Sequence, residues 1–192
     1  VSLTVSDLLT LNRIPTHEEL SLKTIAEFYE QHLMNRQFRF HIAHKEEEIR
    51  VRFEPWALCH LIAIHHFVPG QAGKSKQGHS SLKDETITFE KLKSMNDGQF
   101  EKDKLRMLCF PFIYQIIKNP RLQEADQHDE VRAQWILYDN SVVKHIQLKL
   151  RRREPKSKFY VPVTLLVHSK LPNKKQIRVK NIEELALDDG LK

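Results

Sequence analysis

Only two cysteines, Cys59 and Cys109, occur in the 192-residue sequence; both lie in apolar surroundings and form no spaced framework. A disulfide scaffold is therefore excluded, and a reduced, cytoplasmic protein is expected. Long apolar runs are also missing, so no membrane-spanning helix and no membrane partner are expected. The opening Val1-Ser2-Leu3-Thr4-Val5 lacks the basic and apolar regions of a secretory signal. There is no phosphate-binding P-loop, no dinucleotide fingerprint and no serine-hydrolase elbow. His41 with His44, Cys59 with His60, and His65 with His66, together with Cys109, could make a zinc set on paper. None has the paired ligand spacing of a structural zinc site, and adjacent helix residues diverge. Neither metal nor other cofactor is expected.

What is present is an ordinary core and an uneven charge. The content of 40% hydrophobic and 29% charged residues suits one soluble domain of this length. The net charge of +6 conceals a concentration: residues 142–180 hold twelve Lys or Arg and one acid, Glu154. Such a segment favours a polyanion, because each neutralised phosphate releases a counterion. The alternative is a solvated basic face with no dedicated partner.

Hydrophobic periodicity orders the chain. Thr16 and Glu19 have capping-box spacing, and Leu22, Ile25, Ala26, Tyr29 and Leu33 recur at helical intervals. Residues 1–34 are thus expected to form an N-terminal helical segment, with residues 35–192 as the main domain of one compact body. Phe38, Phe40 and Ile42 alternate with Arg39 and His41, and Ile49, Val51 and Phe53 with Arg50 and Arg52, predicting a hairpin. Pro55 opens a predicted helix running to His66. Residues 71–81 read as a polar loop. Thr88 caps a short helix to Met95, and a longer one spans residues 99–118 with a bend at Pro111. Strands are predicted at 134–138, 142–150, 159–168 and 176–179, with Asp139-Asn140 as a turn, and a short helix at 182–189. Helices followed by strands give an α+β fold, helices packed on an antiparallel sheet.

Eleven histidines beside a basic segment suggest RNA chemistry. RNA brings its own nucleophile, the 2′-hydroxyl, so an enzyme needs a base, an acid and cations for the developing charge. Histidine serves either proton-transfer role near neutrality. His60 lies amid apolar neighbours, where an imidazole is either a hydrogen-bonded core group or a functional one. His65 and His66 read as ornaments of a helix C-terminus. Strand parity groups Tyr160 with Thr164 and His168, and His145 with Gln147, Lys149 and Arg151. A sheet surface bearing His145, Lys149, Thr164 and His168 is one outcome, and a merely wet face the other.

The stretch Phe-Glu-Pro-Trp-Ala-Leu-Cys-His60-Leu-Ile-Ala-Ile-His-His resembles the helix motif of a phage-associated branch of the barnase–EndoU–colicin–RelE nuclease superfold. Ile87-Thr88-Phe89, Lys104-Leu105-Arg106-Met107 and Pro162-Val163-Thr164-Leu165 are similar to further short elements of that family, over roughly residues 35–180. Two positions depart from it: Ala63 stands where glycine is usual, and Thr164 where serine is usual. The resemblance implies a metal-independent ribonuclease, often toxin-like and carried on phage or mobile elements, with His60, Arg106 and Thr164 at the active site. His145 joins them from strand parity alone. On this reading His60 or His145 is the acid or base, Arg106 stabilises phosphorane charge and Thr164 positions a phosphate oxygen. Arg50, Arg52, Lys149, Arg151, Arg152, Arg153 and His168 are expected to hold RNA. An acidic protein or RNA antitoxin is the expected partner. The competing readings are a non-catalytic nucleic-acid-binding module and a protein-interaction domain using the basic sheet.

Overall fold

The computed structural model describes residues 2–43, 46–139, 146–167 and 170–187. The chain forms two units, one from residues 1–33 and 55–115, the other from residues 34–54 and 116–192. Among the described residues the first is helical and the second is built on one sheet, an α+β architecture.

The helical unit contains α1 (Val5–Leu8), α2 (Leu22–His32), α3 (Leu58–Leu61), α4 (Ser75–Lys83), α5 (Phe89–Met95), α6 (Asp97–Cys109) and the start of α7 (Phe112–Lys118). Side-chain caps set several starts. Ser21 accepts from the Thr24 amide, Thr88 from Lys91 and Asn96 from Gln99, so α5 begins where its sequence signal lies. The Thr16–Glu19 signal does not start a helix. The Glu19 carboxylate accepts from the Thr16 amide and from Arg13, which closes a single turn, and α2 begins later behind Ser21. Pro111, with no N–H to give, separates α6 from α7 as expected.

The predicted loop at residues 71–81 is instead a 3-10 turn, Gly70–Gly73, followed by α4. Few apolar residues mark α4, so its periodicity is faint. His79 and Leu82 carry its buried side, and α4 is tied to α2 by Glu30, which meets His79 Nε2 at 3.0 Å and Lys83 Nζ at 2.7 Å. Gly73 is required before it, since a Cβ there would sit 1.9 Å from the Val68 carbonyl oxygen. The helix expected from Pro55 to His66 is also corrected. Trp56 takes a φ of +66°, the helix starts only at Leu58, and it ends before Ala63.

The second unit holds β1 (Arg36–Ile42), β2 (Glu48–Arg52), β3 (Arg121–Glu124), β4 (Trp135–Asp139), β5 (Ile146–Arg152), β6 (Phe159–Val167) and β7 (Val179–Ala186). Their order is β3-β4-β5-β6-β2-β1-β7, antiparallel apart from the β2–β6 pair. A bridge between Leu122 and Ile177, with the Ile177 amide 2.7 Å from the Leu122 carbonyl, links the two ends of this curled sheet. The β1–β2 hairpin has its predicted alternation, with Phe38, Phe40, Ile49 and Val51 buried. The terminal helix expected at 182–189 is replaced by β7. Glu183 and Glu184 favour helix in isolation, but strand pairing with β1 aligns Glu184 with Arg36 at 2.7 Å and Glu183 with Arg39 at 3.8 Å.

Cross-strand register explains the core. Leu122, Leu137, Leu148 and Leu165 are successive partners across four strands, and all four are wholly buried. The opposite face carries the row Gln123, Ile136, Lys149 and Thr164. That face is not wet along its length. Ala125, Ala133, Ile136 and Tyr138 form a small cluster over it, joined by Val131 and Leu171, and Gln123 donates to the Pro172 carbonyl.

The covering segment is pinned by Asp129. One carboxylate oxygen accepts from the amides of Val131 and Ala133, each at 3.1 Å, and the other pairs with Lys149. Burial pushes the Asp129 carboxyl up, but Lys149 and the Ala133 amide outweigh it and hold the group below its ordinary value. Removing one member of a buried pair leaves the other charge uncompensated. Asp129→Ala should therefore lower the unfolding free energy by about 3 kcal/mol. Urea denaturation measures this, and a change under about 1 kcal/mol would mean the pair acts as an exposed one.

Candidate active site

The helical unit gathers three imidazoles at the broken end of α3. Its last carbonyls are completed by Arg106 of α6: Nε donates to the Leu61 carbonyl at 2.6 Å, and Nη2 donates at 3.2 Å to the His60 carbonyl, which also accepts from the Ala63 amide at 3.2 Å. The chain then turns through Ala63, which is fully buried with φ +63° and ψ +24°, a left-handed conformation that favours glycine. This gives the usual glycine at that position of the motif a physical reason, which alanine meets at some strain. The turn leads into a 3-10 segment, Ile64–His66.

That reversal folds the later histidines back onto the earlier one. His60 and His65 stack with centroids 4.6 Å apart and planes 25° from parallel, and His65 and His66 lie 4.4 Å apart. His60 is exposed, not enclosed in the apolar core. Among the described residues the enclosed histidine is His79, only 1% accessible. His66 places Nδ1 2.7 Å from an Asp103 carboxylate oxygen. A carboxylate can only accept, so this nitrogen carries the proton and Nε2 is left as the basic atom. Gln99 donates to the same Asp103 oxygen at 2.6 Å, fixing the carboxylate.

Burial, then the neighbouring His60, His66 and Arg106, push His65 down to about 4, so it is neutral at neutral pH. Arg106 is lowered by burial, with Asp103 opposing, and stays charged. The thiol of Cys59 is pushed up to about 12 by burial and is no nucleophile near neutrality. Among the described residues no group of three or more His, Cys, Asp or Glu is arranged to hold a metal ion.

The sheet unit places the other candidates. Thr164 is the register partner of Lys149, beside a bulge at Val163 that breaks the β5–β6 ladder. The bulge corrects the parity reading, because Tyr160 pairs with Arg152 and lies on the face opposite Thr164. Lys149 is paired with Asp129, Arg50 with Glu48, and Arg153 with Glu54 at 3.1 Å. The Arg52 guanidinium lies 3.2 Å from the Phe159 ring centroid and donates to Gln37. Arg151, Arg152 and Arg153 are exposed. His145, His168, His44 and the Asn140 turn position lie outside the described residues.

His60 and Arg106 are thus brought together, and Thr164 with Lys149. Asp103, Gln99, His65 and His66 were not singled out as active-site residues from the sequence. The one signal for them was the unusual density of histidine after His60.

The family model for phage-Barnase-EndoU-ColicinE5/D-RelE like nuclease4 matches residues 21–185. The chain belongs to this family. The match spans both His60 and Thr164, and it begins at α2, ahead of the region the short motifs had suggested. No curated protein and no solved structure matches the chain. No helix among the described residues of this family member is long and apolar enough to cross a membrane.

The histidine cluster makes a pH prediction. A histidine that protonates near 6.5 when unfolded and near 4 when folded binds its proton more readily in the unfolded chain. Its contribution to stability is complete above 6.5, declines as pH falls from 6.5 to 4, and is gone below that. The His65 ring signal in an NMR titration should accordingly stay in its neutral position at pH 5.5, and a midpoint near 6.5 would contradict this environment.

Proposed function

We propose that this nuclease is a metal-independent endoribonuclease using the stacked imidazoles for proton transfer. The observation that carries the reading is the arrangement His60–His65–His66 with Asp103 behind His66 and Arg106 beneath His60. His66 Nε2 takes the proton of the ribose 2′-hydroxyl, whose oxygen attacks the adjacent phosphorus. The bond to the 5′-oxygen breaks, and His60 in its protonated form returns a proton to that leaving group. The products are a 2′,3′-cyclic phosphate and a 5′-hydroxyl. His65 is an uncharged spacer between the rings of His60 and His66.

Arg106 is first a positioning residue, since two of its donors hold α3, and its charge also favours the phosphorane. Thr164 positions a phosphate oxygen, and His145 and His168 assist. The exposed Arg151, Arg152 and Arg153, with Arg50 and Arg52, hold the RNA backbone, while Lys149 acts mainly through Asp129. A phage-associated ribonuclease of this kind calls for an acidic protein or an RNA antitoxin that covers its cationic surface.

The test incubates purified protein with RNA in excess chelator and analyses the product ends. Cyclic phosphate termini are expected, and His60→Ala or His66→Ala should each reduce the rate by about 10²–10⁴. Salt-sensitive binding that leaves RNA intact across pH would instead identify a binding module.

A further inference from the structure

The sheet unit holds a second feature that proton transfer does not use. At the end of the buried leucine row, on its face, the register places Glu124 beside Trp135 and Arg152 beside Tyr160. These residues, with Arg132, line a cavity of about 460 Å³. The Trp135 and Tyr160 rings meet edge to face, 6.4 Å apart at 77°. Arg152 lies 5.4 Å from the Tyr160 centroid and donates to its hydroxyl at 3.1 Å. The indole Nε1–H of Trp135 is buried without a hydrogen-bond partner among the described residues. An unsatisfied donor of this kind is costly, and its signal is sensitive to any change in the packing of the Trp135 ring against the cavity.

The wall opposite is strained and fixed. Arg132 has φ +55°, and the turn that holds it is closed by its own amide on the Asp129 carbonyl at 2.9 Å. The same Asp129 is locked to Lys149. A non-glycine residue keeps a left-handed conformation only where its surroundings impose it, and such positions cluster at ligand sites.

We infer that this cavity is a subsite for one unpaired nucleobase carrying an exocyclic amino group. Aromatic faces and guanidinium planes suit a flat heterocycle. Glu124 accepts from an amino group, Arg132 donates to ring or carbonyl acceptors, and the Trp135 and Tyr160 rings pack against the base. The carboxylate disfavours a phosphate in the same place, and the exposed Arg151 and Arg153 offer the backbone its contacts just outside. The inference rests on the ribonuclease reading for its substrate class, but its test does not require cleavage.

The chain has two tryptophans, so a Trp56→Phe variant assigns the Trp135 indole N–H signal in a ¹⁵N-labelled full-length protein. Deoxynucleoside monophosphates of all four bases are titrated, with ribose 5-phosphate as the base-free arm. The subsite predicts a saturable shift of the Trp135 signal with dCMP, dAMP or dGMP, at least fivefold weaker affinity for dTMP, and none with ribose 5-phosphate. Glu124→Gln, an exposed change that leaves the core intact, should erase the preference over dTMP. An unmoved signal with every nucleotide, or an equal shift with ribose 5-phosphate, overturns the subsite. Cleavage of RNA with no dependence on base would reject it while leaving the ribonuclease reading standing; a base-selective shift without cleavage would do the reverse.

Discussion

The grip of Arg106 on the carbonyls of Leu61 and His60 is the contact on which the candidate active site depends. A short helix such as α3 ends with few amides for its last carbonyls, and here a half-buried guanidinium meets the Leu61 carbonyl and adds a second donor to the His60 carbonyl, which the Ala63 amide also reaches. Once those carbonyls are satisfied the chain is free to reverse at Ala63, and the reversal stacks His65 on His60. Lysine could not fill the place equally, because a single ammonium lacks the fork that meets two carbonyls from one position. The same contact supplies positive charge beside the imidazoles, which helps keep His65 neutral.

In the sheet unit the corresponding constraint is the pair Asp129–Lys149. It holds a covering segment over a polar row that would otherwise be open to water, and in doing so it shapes the wall of the Trp135 cavity. On the inferred base subsite, stability and binding share one anchor there. A cation that looks like an RNA contact in the sequence serves the fold first, and on the proposed reading the exposed arginines beyond it take the backbone of a polyanion.

The sequence made much of the architecture legible, and its failures have physical causes. The hairpin at Phe38–Phe53 was visible because both strands alternate cleanly against one core. The α5 start was visible because Thr88 is a local cap. By contrast α4 was hidden, since its stability comes from Glu30 on another helix and not from its own apolar period. β7 was hidden because Glu183, Glu184, Leu185 and Ala186 suit a helix until β1 offers partners for both charges. In the candidate site, His60 and Arg106 were singled out through short family-like motifs, whereas the left-handed turn at Ala63 was not read from its replacement of glycine. Asp103 and Gln99 were not, because only the fold brings α6 beside the 3-10 turn. The parity argument failed at one residue, Val163, whose bulge exchanges the faces of everything before it on β6.

The most direct test of proton transfer by the stacked rings is the pH dependence of kcat/KM for a short RNA, in excess chelator. A bell-shaped profile is expected, with the acidic limb lost in His66→Ala and the basic limb lost in His60→Ala. Profiles that retain both limbs in both variants would contradict the assignment and place the proton-transfer groups elsewhere.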